Sequence, residues 1–184
     1  MVKSFNEKSN FNKETRVLIV GTLTSPEGMA HGYFYSSSHN PLYSKLSKMF
    51  DRGVEETKTF AYLKKKLICE TDPSIKDQTI DAINLKLENL GIAFFDVVKY
   101  ADRKDKPYSP SDDDLHDIEY DKDTYLSRKG DLMAIIFSSK RSQEMFEKNI
   151  DDSFEGEKIV INLSRKKDNC GDVIKAIKPY IAFR

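Results

Sequence analysis

The chain has 184 residues, of which 39% are hydrophobic and 33% charged, with eleven Phe and nine Tyr. That is enough apolar material for one core, so global disorder is excluded, and no apolar run approaches the roughly 20 residues of a membrane span. Thirty basic residues balance thirty acidic ones, which argues against a polycation that coats nucleic acid. Cys69 and Cys170 are far apart and have no metal-type spacing, so a reduced, cytoplasmic setting is expected.

Residues 1–14 are polar and read as a flexible N-terminal segment; residues 15–184 read as a single domain. Arg16 to Thr22 is a β-branched and apolar run that stops at Gly21, the mark of a strand buried on both faces. Similar runs follow at Ile92 to Val98, Leu132 to Phe137 and Lys158 to Leu163. Helical patterns lie between them. Asn40 and Pro41 open one, with Leu42, Leu46, Met49 and Phe50 on one stripe. Ser74 to Leu90 is a second, with a start resembling a capping box at Ser74 and Asp77 and a stop at Gly91. Ser142 to Ile150 and Gly171 to Ile181 complete the set. Strands alternating with helices predict a three-layer α/β/α domain around a four-stranded parallel sheet. Such a sheet binds ligands beyond the carboxyl ends of its strands. Two stretches, Thr24 to His39 and Lys99 to Tyr125, fit neither pattern and read as long loops at that edge.

The first candidate site is Gly21-Thr22-Leu23-Thr24-Ser25-Pro26 followed by Gly32-Tyr33-Phe34-Tyr35-Ser36-Ser37-Ser38-His39-Asn40-Pro41-Leu42-Tyr43. It lacks the Gly-Lys-Ser/Thr ending of a P-loop. Its neighbouring aromatics could instead form a slot for a planar base, or be core rings under a loop. His31, His39 and His116 have no metal-ligand spacing, and no metal is expected.

These residues resemble the uracil-DNA glycosylase superfamily, closest to its mismatch-specific and hypoxanthine-DNA glycosylase branches. Gly21 to Tyr35 keeps the gap between that family's first glycine and its stacking aromatic. Ser37 to Tyr43 stands where His-Pro-x-Asn-x-Phe-Trp would be, with Asn40 on the Asn. Gly91 to Val98 is similar to its Gly-Ile-Ala-Leu-Trp-Asp-Val strand, Leu132 to Lys140 to its third strand, and Asn162-Leu163-Ser164 to its Asn-Pro-Ser motif. The resemblance implies hydrolysis of the N-glycosidic bond of a deaminated or mismatched base, without cofactor, by a monomer that binds DNA with the target base flipped out.

On this resemblance Asn40 and Asn162 are the catalytic candidates. Leu23 replaces the Asp or Asn that holds water in many members, and Asn40 stands where one branch supplies the substitute. Tyr35, Asp96, Thr22 and Leu23 would contact the base. Ser164, Arg165, Lys166, Lys167 and His39 would contact DNA, the cations through phosphates. Thr24, Ser25 and Leu163 replace the family's Pro-Gly and Pro, so a catalytically inactive binding module on the same fold stays open. So does an interaction protein that uses the acidic 99–125 stretch.

Overall fold

A computed structural model describes residues 1–103, 112–161 and 170–181. A short strand, β1 (Val2–Lys3), begins the chain, and β2 (Val17–Gly21) follows. Helices α1 (Pro26–His31), α2 (Leu42–Phe50), α3 (Phe60–Cys69) and α4 (Pro73–Asn89) precede β3 (Ile92–Asp96). Next come β4 (Val98–Asp102), β5 (His116–Tyr120), α5 (Lys122–Arg128), β6 (Ala134–Phe137), α6 (Lys140–Asn149), β7 (Glu157–Val160) and α7 (Cys170–Ile177).

The four runs singled out in the sequence form one parallel sheet in the order β3-β2-β6-β7. Every residue of β2, β3 and β6 is buried. Side chains alternate across a strand, and here the alternation feeds two separate cores. Val17 and Ile19 pack with Leu42, Leu46, Phe60 and Ile83 under α2, α3 and α4. Leu18 and Val20 pack with Phe11, Tyr125 and Phe146 under α5 and α6. Helices on both faces make the expected three layers. None of the described helices is long and apolar enough to cross a membrane.

Residues 1–14 depart from the flexible segment predicted. β1 pairs antiparallel with β4, and Asn6 and Phe11 are 1% and 3% exposed. The segment also closes the outer edge of β3 with side chains. Asn10 Nδ2 donates to Ile92 O at 2.7 Å, Ser9 Oγ to Phe94 O at 2.5 Å, and Asn6 Nδ2 to Asp96 O at 2.7 Å. Those three carbonyls are the alternate, outward-facing ones of an edge strand, which are otherwise open to pairing with another chain. Polar residues read as frayed because the pattern rules score apolar periodicity; here the polar atoms themselves do the docking.

The 99–125 stretch is likewise not a loop throughout. β4 and β5 pair antiparallel beside β1, and α5 begins at Lys122. Within Thr24 to His39 a short helix, α1, runs from a Ser25 cap to Gly32 at φ 90°. The helix starts also shift. Asp72, not Ser74, caps α4, and Ser139 caps α6 in a reciprocal pair with Ser142. The structure adds α3, which the sequence reading passed over. Its start is tied down by Asp51, 8% exposed, whose Oδ2 accepts from Phe60 N at 2.6 Å while Oδ1 accepts from Lys86 Nζ at 2.7 Å.

Asp151, 7% exposed, holds α5 against the segment after α6. Burial works against its charge, but Lys129 at 2.7 Å, Ser153 and Tyr125 outweigh it and bring the carboxyl from 3.8 down to about 2. A carboxylate depressed on folding adds stability above its unfolded value, which is lost as pH falls through the folded one. Asp151→Asn should therefore cost about 2 kcal/mol at pH 7 and flatten the acid limb of stability between about pH 4 and pH 2. Urea melts of both proteins across that range check this; parallel acid limbs would refute it.

Candidate functional site

β2 and β3 end side by side, with Gly21 paired to Asp96. Asp96 is 2% exposed. Its Oδ2 accepts from the backbone N–H and the hydroxyl of Thr24, at 2.8 and 2.7 Å. The turn after β2 is thus tied to the end of β3, and this is why the chain leaves the sheet as it does at Thr22-Leu23-Thr24. The backbone of Asp96 is held equally firmly: its N–H donates to Asn6 Oδ1 at 2.8 Å while its carbonyl takes Asn6 Nδ2. The same Nδ2 reaches Asp121 Oδ2 at 2.7 Å.

Oδ1 of Asp96 lies on the Gly21 side. A Cβ added at Gly21 would sit 2.8 Å from that oxygen, 3.2 Å from the Tyr35 hydroxyl and 3.8 Å from Ser138 Oγ. A carboxylate, a phenol and a serine hydroxyl therefore converge on the one position of β2 where no side chain stands in the way. Glycine is required here by close approach rather than by dihedral angle.

Tyr35 has φ 51°, in the left-handed region that a bulky residue rarely adopts. Its ring lies edge-on to Phe94 at 5.2 Å between centroids. Its hydroxyl is buried and makes no hydrogen bond of normal geometry among the described residues, although Ser138 stands beside it. Burial first, and the Asp96 charge second, push the phenol far above the ordinary tyrosine value, so it stays a neutral donor. A left-handed backbone and a buried hydroxyl with no normal hydrogen bond among the described residues set Tyr35 apart from an ordinary packing position. Of the three adjacent aromatics, only Tyr35 is placed this way. Tyr33 and Phe34 are fully buried core rings, Tyr33 hydrogen-bonded to Asn84, so the three do not form a common slot.

Thr22 and Leu23 are 4% and 7% exposed; the Thr22 hydroxyl is a second buried oxygen without a hydrogen-bond partner among the described residues. Asn40 stands just before α2, which starts at Leu42 rather than at Pro41. Pro41 therefore holds the N-cap position expected for Asn40, whose Oδ1 still accepts from Leu42 N, the first amide of the helix, at 2.9 Å. A carbonyl oxygen has two lone pairs, and the second is not used by that bond. His39 is exposed and shares a 2.9 Å hydrogen bond with Ser38 Oγ. Asn162, Ser164, Arg165, Lys166 and Lys167 lie outside the described residues. Among the described residues no three His, Cys, Asp or Glu come together as metal ligands would.

Three residues at this corner were not foreseen. Ser138 follows β6 on the same edge and could have been found by the strand-end rule applied to Gly21 and Asp96. Thr24 and Asn6 carry no local signal, because each acts only through a partner distant in sequence.

No protein-family model matches the chain, and no curated protein does. A solved structure is similar: the solution NMR structure of a "putative Uracil DNA glycosylase" from Methanosarcina acetivorans. Identity is 17%, the TM-score is 0.58, and 94% of each chain is covered. This is a uracil DNA glycosylase-like fold.

The Tyr35 ring gives this corner a testable property. Tyr35→Ala should weaken capture of a base-containing ligand by roughly 1–3 kcal/mol, the usual worth of one stacked base. Tyr35→Phe should leave stability unchanged or slightly higher, because it removes a buried oxygen that makes no hydrogen bond of normal geometry among the described residues. Fluorescence titration with abasic and base-containing oligonucleotides, beside thermal melts, checks both. Equal affinity for the two ligands in the wild type would make Tyr35 a core ring.

Proposed function

We propose that this chain is a monofunctional DNA glycosylase, which hydrolyses the N-glycosidic bond of a deaminated or mismatched base and leaves an abasic site. The observation that carries the reading is the convergence of Asp96, Tyr35 and Ser138 on Gly21, at the carboxyl ends of the strands of a glycosylase-like fold. In an open parallel sheet that edge is where ligands bind.

Cleavage of this bond builds positive charge on the sugar and negative charge on the departing base. A protein favours it by holding water near the sugar and placing donors around the base. In this reading a flipped base stacks on Tyr35. The Tyr35 hydroxyl, in the plane of that ring, sits beside Gly21 and Ser138, and the Asp96 carboxylate accepts a ring N–H of the base. Asp96 is assigned to the base rather than to the water, with its Oδ2 held by Thr24. Asn40 orients the water through its remaining lone pair, Asn162 contacts a base oxygen, and Arg165, Lys166 and Lys167 meet phosphates. Thr22 and Leu23 line the base side, and Ser164 and His39 the DNA side. No cofactor takes part, and the protein acts as a cytoplasmic monomer.

A second reading is a binding module on the same fold that does not cut. It is favoured by the capping bond that engages Asn40 and by the commitment of Asp96 to Thr24. Oligonucleotides carrying uracil, hypoxanthine or xanthine, incubated with the protein and then treated with alkali, separate the two. Strand breaks support the enzyme; retention of the oligonucleotide without breaks supports the module.

A further inference from the structure

Lys64 lies on α3 and is 7% exposed, an unusual position for a lysine. Its Nζ donates to the carbonyl oxygen of Asn40 at 2.6 Å and reaches that of Ser38 at 3.5 Å. These partners are backbone carbonyls rather than a carboxylate. Burial lowers its pKa, and the charge of Glu27 opposes that. A buried ammonium is costly unless its hydrogen bonds are met, and an apolar residue of the same length would fill the space at less cost.

The same loop is gripped from α1. Glu27 Oε1 accepts from Ser38 N at 2.7 Å, and His31 Nδ1 meets Ser36 O at 2.9 Å. Within the loop, Asn40 N donates to Ser37 O at 3.1 Å. Side chains of two helices thus hold residues 36–40 by their backbone atoms. A grip on the backbone fixes where the loop runs and leaves its side chains uncommitted. The strained Tyr35 stands at one end of this loop, and His39 and Asn40 at the other.

We propose that Lys64 and Glu27 form a charged clamp on the 36–40 loop, and that Lys64 is a positioning residue for Asn40 in base excision. The second half rests on the glycosylase reading; the clamp itself does not.

The test compares Lys64→Met, Lys64→Arg and Glu27→Ala with the wild type. Amide hydrogen exchange is measured at Ser38 and Asn40, and single-turnover rate and affinity are measured on whichever modified oligonucleotide the wild type cuts. In folded Lys64→Met the Asn40 amide should exchange about tenfold faster, since the loop opens locally. The chemical rate should fall about tenfold, as expected for a misplaced group, with affinity nearly unchanged. Lys64→Arg, which still reaches two carbonyls, should restore both. Glu27 is exposed, so Glu27→Ala should fold in any event and speed exchange at Ser38. It keeps the clamp testable if Lys64→Met does not fold. Unchanged exchange in both Lys64→Met and Glu27→Ala overturns the clamp. Faster exchange with an unaltered rate overturns the positioning role. If the wild type cuts none of the oligonucleotides, the glycosylase reading and the positioning role fall together, while the exchange data still decide the clamp.

Discussion

Asn40→Ala should lower the single-turnover rate of base excision by about 100-fold or more, the usual cost of losing a group that orients a reactant. It should also cost about 1 kcal/mol of stability, because the Leu42 N–H at the start of α2 loses its acceptor. Asn40→Asp separates the two effects. Asp caps about as well as Asn, and it keeps an oxygen that accepts from water, so this variant should be as stable as the wild type and retain part of the rate. Leu23 is apolar and buried and cannot orient a water, and Asp96 is assigned to the departing base, so another polar group must hold the water. An unchanged rate in folded Asn40→Ala would falsify the assignment and leave Asn40 a helix cap; Ser138 would then be the next residue to test.

Asn6→Ala should be the most destabilising single substitution of a residue outside the hydrophobic clusters. It deprives Asp96 of partners at both backbone groups and Asp121 of an N–H, all of them buried. Stranding buried polar groups costs about 1–3 kcal/mol each, with partial relief by relaxation, so a loss of about 3 kcal/mol is expected. For a chain of this size that is a drop of roughly 6–12 °C in Tm. Because Asn6 also covers the edge of β3, the variant should self-associate more readily on warming than Ser9→Ala, which uncovers a single carbonyl. Thermal melts with light scattering read both effects. A wild-type Tm for Asn6→Ala would mean that the N-terminal segment merely lies on the sheet edge and does not hold it.

The main sheet is legible in the order of residues alone. Strands buried on both faces must be apolar throughout, and that demand is local, so Val17 to Gly21, Ile92 to Asp96 and Ala134 to Phe137 stand out without any knowledge of their neighbours. Alternation with helices then implied parallel pairing, and the strand ends marked Gly21 and Asp96 as one edge. How that edge is finished depends on contacts between distant segments. Asp96 meets Thr24 across 72 positions and Asn6 across 90; Asn6 meets Asp121 across 115, and Lys64 meets Asn40 across 24. A polar side chain has the same appearance in a sequence whether it faces water or a buried carbonyl. Asn6, Ser9 and Asn10 therefore read as a frayed end, and Lys64 as one more surface lysine. The antiparallel β4 and β5 were hidden for a related reason. They are only partly buried, so their alternation is weak, and what defines them is each other's backbone. Apolar burial leaves a periodic trace along the chain, whereas hydrogen bonding between distant segments leaves none.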